Sequence, residues 1–250
     1  MSNISYRRRG ALLPPVLRWA ESDNPLPVRS VRVPARARAQ RAGLDARLAH
    51  DTGPAGRPFD FCAHVRRLCA DVVRHCGDLA HIDVSRLLFA ITQARTGMPF
   101  GLQARVTPLR FRHGQLTRLR RGVAHQVQRY YVDGTEMLYL VTFCLPRFLD
   151  QDFDDKFITL FHELYHISPQ FEGDLRRHNG RYDLHSRSKK LYDQHMAHLA
   201  RSYLGNGADH SLHGFLRLNF EQLRERHGSV VGVVVPRPRL LPVPAGALVV

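Results

Sequence analysis

His162-Glu163-Leu164-Tyr165-His166 is an H-E-x-x-H run, and its chemistry depends on being helical. Residues four apart on a helix lie one above the other, so both imidazoles can reach a single ion. Glu163 then stands beside them, within reach of a water held by that ion. With 15 histidines and 6 glutamates in 250 residues, roughly 0.02 accidental matches are expected, so chance is a poor explanation. The chemistry this predicts is peptide hydrolysis. A Zn2+ ion polarises the scissile carbonyl and lowers the pKa of its bound water from about 15.7 to about 7. Glu163 accepts the water proton and returns it to the leaving amine, as general base and then general acid.

Catalytic zinc usually has three protein ligands and one open position, so His162 and His166 need a partner from elsewhere. Glu172, Asp174, His178 and His185 follow directly. His185 is preferred because it stands just before the next expected helix, where a rigid element can hold a ligand. The metzincin spacing is absent, since Pro169 and Glu172 occupy the places of its Gly and third His. Asp174 is read either as an orienting carboxylate behind a ligand or as half of a Gly173-Asp174 turn. Tyr182, His178 and Arg181 are candidate donors to an oxyanion. His195 and His198 are read as solvated.

The elements that must position these groups are legible as patterns. Asp152 or Asp154 can cap a helix whose apolar positions Phe153, Phe157, Leu160, Phe161 and Leu164 follow three-to-four spacing. That stripe turns one face to the core and leaves the histidines on the other. Pro169 stops the helix. Ser188 opens another, through Leu191, Tyr192, Met196, Leu199 and Tyr203 to Gly205. Upstream, Asp60 caps a helix carrying Phe61, Val65, Leu68, Val72 and Cys76, which Gly77 ends. Leu87 to Thr92 and Leu102 to Phe111 read as strands, the second at an edge because of Pro108. His113-Gly114 reads as a turn. His125 to Val132 and Met137 to Leu145 flank Asp133-Gly134, a hairpin signal. Phe215 to Leu223 reads as helical and Val230 to Val235 as a strand. The expectation is an α+β fold: a compact zincin-type core with an N-terminal helix, a small antiparallel-rich sheet, the H-E-x-x-H helix and a following C-terminal helix.

The segment from Phe161 to Met196, FHELYHISPQFEGDLRRHNGRYDLHSRSKKLYDQHM, resembles the phage-type metallopeptidases, which share HELYHI followed by F-x-G-D-x-R-R. Similarity runs from about Phe59 to Leu204. The chain is more distantly similar to SprT-like zinc metalloproteases, in which a third His opens the helix after a loop. That resemblance implies His185 as third ligand, a compact core of helices on a small sheet, and substrate laid along the edge strand. The chain departs from the SprT-like pattern at Ser186, where Gly is usual, and in having no four-cysteine zinc ribbon.

Composition frames the rest. Lys and Arg total 37 against 22 acids, a formal charge of +15, which suits an acidic partner. Only Lys156, Lys189 and Lys190 are lysines, so arginine codon bias is a competing source of that charge. Cys62, Cys69, Cys76 and Cys144 include no C-x-x-C pair and read as small core residues of a reducing compartment. Residues 1 to 57 read as a basic, largely disordered arm, with nucleic acid as a candidate partner, although a stretch near Leu12 to Trp19 can also dock on the domain. Residues 58 to 205 form the expected zinc metallopeptidase-like domain, and 206 to 250 an extension packing on it. Pro14, Pro15 and Arg18 break any export-signal core, and no apolar run reaches the roughly 20 residues of a membrane span, so a cytoplasmic protein is expected. The competing reading is a non-catalytic, zinc-stabilised nucleic-acid-binding or interaction protein.

Overall fold

The computed structural model describes residues 14–33, 52–96, 100–177 and 189–243. They form a mixed α+β protein with five α-helices. In chain order the elements are β1 (Val16–Trp19), β2 (Val28–Ser30), β3 (Phe59–Asp60), α1 (Phe61–His75), β4 (Leu87–Gln93), β5 (Ala104–Pro108), β6 (Thr117–Arg120), β7 (Val123–Val127), β8 (Arg129–Val132), β9 (Thr135–Met137) and β10 (Tyr139–Leu145). They continue with α2 (Phe153–Tyr165), α3 (Lys189–Gly205), α4 (His210–His213), α5 (Phe220–His227), β11 (Val230–Val233) and β12 (Leu240–Pro242). None of the described helices is long and apolar enough to cross a membrane.

Instead of one antiparallel-rich sheet, the described strands form four three-stranded sheets, ordered β4-β10-β5, β1-β8-β9, β2-β11-β3 and β12-β7-β6. In the first, β4 and β10 run parallel and β5 pairs antiparallel to β10. The strands read from sequence as His125 to Val132 and Met137 to Leu145 are each divided. One residue, Gln128 or Leu138, lets the chain leave one sheet and enter another. The Asp133-Gly134 hairpin forms as expected, with both residues at positive φ (47° and 78°) between paired Val132 and Thr135.

The sheet of β4, β10 and β5 is covered on both faces, which is why β4 and β10 are nearly continuous apolar runs. Leu87, Phe89, Ile91, Val141 and Phe143 face a core shared with α1, α2 and α3. Leu88, Ala90 and Leu140 face a second cluster containing Trp19, Tyr130 and Met137. Trp19 belongs to the segment expected to dock or to stay in the arm. It is buried edge-on against Tyr130, with ring centroids 5.3 Å apart, because β1 pairs in parallel with β8. β2 joins β11 and β3, so the extension and part of the basic segment close a sheet together. That sheet lies close to β4: a Cβ on Gly232 would stand 2.8 Å from the Ile91 side chain.

Asp60 caps α1 as expected, accepting from the Ala63 N–H. All four cysteines are free and buried, and burial pushes the Cys62 thiol up to about 12, which suits packing residues rather than nucleophiles.

Lys156 is a buried exception to the apolar inner face of α2. Its ammonium donates to the carbonyls of Leu216 at 2.8 Å and Leu218 at 2.9 Å, tying the helix to the segment before α5. Lys156→Met strands two buried acceptors and should cost roughly 2 to 4 kcal/mol by urea unfolding at pH 7. Burial lowers the Lys156 pKa from 10.5 to about 8. The unfolded chain therefore holds a proton that the folded chain has lost between those two values. Wild-type stability relative to Lys156→Met is then flat below pH 8 and rises between pH 8 and 10.5.

Candidate functional site

The site grows from α2 and the edge strand β5. Asp152 occupies the N-cap position, though its side chain makes no capping bond, and Asp154 and Asp155 place negative charge in the first turn. Phe157, Leu160, Phe161 and Leu164 are buried in the main core, which fixes the rotation of the helix. With that rotation His162 and His166 stack on the opposite side. Their Nε2 atoms converge to 2.9 Å, with ring planes 81° apart. Two ring nitrogens brought this close need a shared electrophile between or before them, either a proton or a cation.

Glu163 is 8% exposed. A carboxylate in that setting requires a donor, and the backbone N–H of Val106 supplies it at 2.7 Å from Oε2. β5 can offer this N–H because it is the outer strand of its sheet. Burial pushes Glu163 up to about 7, opposed by the Val106 N–H and the charge of Arg105. This is the range in which a carboxyl group can both take and give a proton near neutrality.

α3 lies against α2 and brings Tyr192 to the histidines. Its ring stands edge-on to His162 at 4.9 Å and stacks near His166 at 6.2 Å. The Tyr192 hydroxyl is buried with no hydrogen-bond partner among the described residues. The sequence pattern marks Tyr192 only as one of the apolar positions of α3. Its packing bears that out, but nothing in the periodicity announces the hydroxyl. On the same helix His195 faces Asp78 at 3.6 Å and packs edge-on against Tyr165, and His198 is exposed.

The FEGDLRR segment folds back onto the end of α2. Ile167 bridges Leu175, and the Arg176 N–H donates to the His166 carbonyl at 2.7 Å. The Arg176 guanidinium donates to the Tyr165 carbonyl at 2.7 Å and lies 3.9 Å over the Tyr165 ring. Terminal carbonyls of the helix are thereby capped. The Asp174 carboxylate pairs with Arg177 at 3.2 Å, while its carbonyl accepts from Tyr139 Oη at 2.8 Å. The Gly173 N–H in turn donates to that same hydroxyl. Among the described residues no third His, Cys, Asp or Glu forms a metal-holding group with His162 and His166. His178, Arg181, Tyr182 and His185 lie outside the described residues.

No protein-family model, curated protein or solved structure matches the chain.

Gly173 is the tightest joint of this segment. It sits at φ +89°, and an added Cβ would stand 2.4 Å from Cγ and 2.8 Å from Cβ of Arg110. Gly173→Ala should therefore cost roughly 2 to 3 kcal/mol, through both the clash and the left-handed backbone. Chemical denaturation measures it, and a loss under about 0.5 kcal/mol would show that the loop absorbs the side chain freely.

Proposed function

We propose that this protein is a zinc-dependent metallopeptidase with a zincin-type core. His162 and His166 hold the metal together with His185, and Glu163 acts as general base and acid. The convergence of the two Nε2 atoms beside a buried, edge-strand-bound glutamate carries this reading. Two neutral imidazoles on successive turns are donors that suit Zn2+, so the described residues fit two of the three places it requires. When bound, zinc supplies Lewis acidity toward a carbonyl and acidifies a water.

The chain supplies the remaining functions. Glu163, poised near neutrality by burial, takes a proton from the attacking water and delivers it to the departing amine. The Tyr192 hydroxyl, buried without a partner among the described residues, donates to the oxyanion that develops on the scissile carbonyl. The Val106 N–H restrains the Glu163 carboxylate, so the proton carrier does not swing into the core. Polypeptide is the substrate class, because an edge strand beside the base offers backbone groups to an extended chain.

Purified wild type should contain about one zinc per chain and cleave an unfolded casein-type substrate. Glu163→Gln should keep the zinc and lose about 10^2- to 10^4-fold in kcat. Zinc retained without cleavage in wild type, under every substrate tried, would instead support the structural-zinc interaction protein. Absence of zinc would overturn both.

Tyr192→Phe removes one oxygen and leaves the ring packing on His162. Cleavage should fall about 10^2-fold at unchanged zinc content. The same variant should also lose a similar factor in affinity for a phosphonate mimic of the tetrahedral state, measured by calorimetry. Equal affinity in both proteins would remove Tyr192 from the mechanism.

A further inference from the structure

From Val84 to Val132 the chain carries nine arginines and no acidic residue. Arg110 and Arg129 in that stretch are paired with the one carboxylate of Glu136, at 2.6 and 2.7 Å, which offsets one of their two charges. Arg118, Arg120 and Arg121 are not. All three are exposed on the hairpin of β6 and β7, and none of their side chains has an ion pair among the described residues.

Arg121 and Gly122 form a two-residue tip with φ of 52° and 76°, between paired Arg120 and Val123. Such tips favour Asn, Asp or Gly at both places, because other side chains strain at positive φ. The arginine at the strained place puts a third cation at the tip of the hairpin. Local rules broken in this way concentrate at functional positions.

We propose that the hairpin of β6 and β7 binds the phosphodiester backbone of duplex nucleic acid through Arg118, Arg120 and Arg121. Arg118 and Arg120, two residues apart on one strand, share a face, and a guanidinium fork matches phosphate geometry. β6 is the outer strand of the β12-β7-β6 sheet, so its guanidinium groups and those of the tip can approach a phosphate backbone from the open edge. An anionic bilayer suits the element less. Leu119 is 73% and Val123 46% exposed, yet Val123 pairs with Arg120 and Leu119 with Ala124, so the two apolar side chains lie on opposite faces and form no insertable patch. The Arg112–Gly114 turn leads into this hairpin, and Gly114 is set close to the Glu172 carbonyl, 3.2 Å from where a Cβ would stand. Nucleic acid on the hairpin would thus be held beside the loop that follows α2. The inference goes beyond peptidase activity and does not depend on it.

The test is fluorescence anisotropy of the full chain as purified, with a short labelled DNA duplex and an RNA duplex. The comparison protein carries Arg118→Ser, Arg120→Ser and Arg121→Gly, the last relieving the strained tip so that the hairpin is kept. A second comparison replaces Arg7, Arg8 and Arg9 with Ala. Wild type should bind a duplex with affinity falling steeply between about 50 and 200 mM salt. The hairpin variant should bind roughly tenfold more weakly or worse, with a log-log salt slope reduced by about 2 to 3. The arm variant should lose less than the hairpin variant. DNA and RNA duplexes bound alike point to backbone contact, and preference for either names the source. Unchanged binding by the hairpin variant, no duplex binding by wild type, or tighter binding to phosphatidylserine vesicles lost in the same variant would overturn the proposal.

Discussion

A carboxylate cannot be taken out of water without a donor, and Glu163 finds its donor in the backbone of a different element. The 2.7 Å bond from the Val106 N–H to Glu163 requires β5 to be an outer strand with one edge unpaired. It requires β10 to hold β5 in register on the other edge. It also requires α2 to present Glu163 and its two histidines at a fixed rotation, which Phe157, Phe161 and Leu164 enforce from the core. Sheet, helix and core are thus joined at one hydrogen bond, in a region of low effective dielectric where each polar contact carries more weight than it would in water.

The surroundings of that bond divide the labour. Lys156 and Arg176 secure α2 near its two ends, one through carbonyls of a later segment and one through carbonyls of the helix itself. The FEGDLRR segment is therefore a clamp on the helix terminus. Asp174 serves that clamp through Arg177, and Gly173 allows the close approach to Arg110. The histidine face is left to α3, whose Tyr192 adds both packing and a buried hydroxyl.

Much of this was legible in sequence where a side-chain pattern carries the information. The stripe of α2, the Asp60 cap, the Asp133-Gly134 hairpin, the edge position of β5 and the packing role of the cysteines all follow from residue type and spacing. What escaped has no such signature. A backbone donor such as the Val106 N–H leaves no mark in residue identity. The parallel pairing of β4 with β10 joins segments more than forty residues apart, and nothing local encodes it. Tyr192 reads as one more apolar position because a buried phenol follows the same periodicity as a buried leucine. Val16–Trp19 lies in a basic, proline-rich stretch whose composition does not announce a strand, yet it pairs with β8. His185 lies outside the described residues, so its place as third ligand rests on the sequence alone.

The proposed chemistry depends on a single metal shared by His162 and His166 beside Glu163. Anomalous diffraction from zinc-soaked crystals, recorded above and below the zinc edge, would locate that metal. One peak is expected about 2.0 to 2.1 Å from both Nε2 atoms, with His185 as the third protein ligand and an open fourth position. A peak elsewhere, no peak, or a site closed by four protein ligands would contradict it.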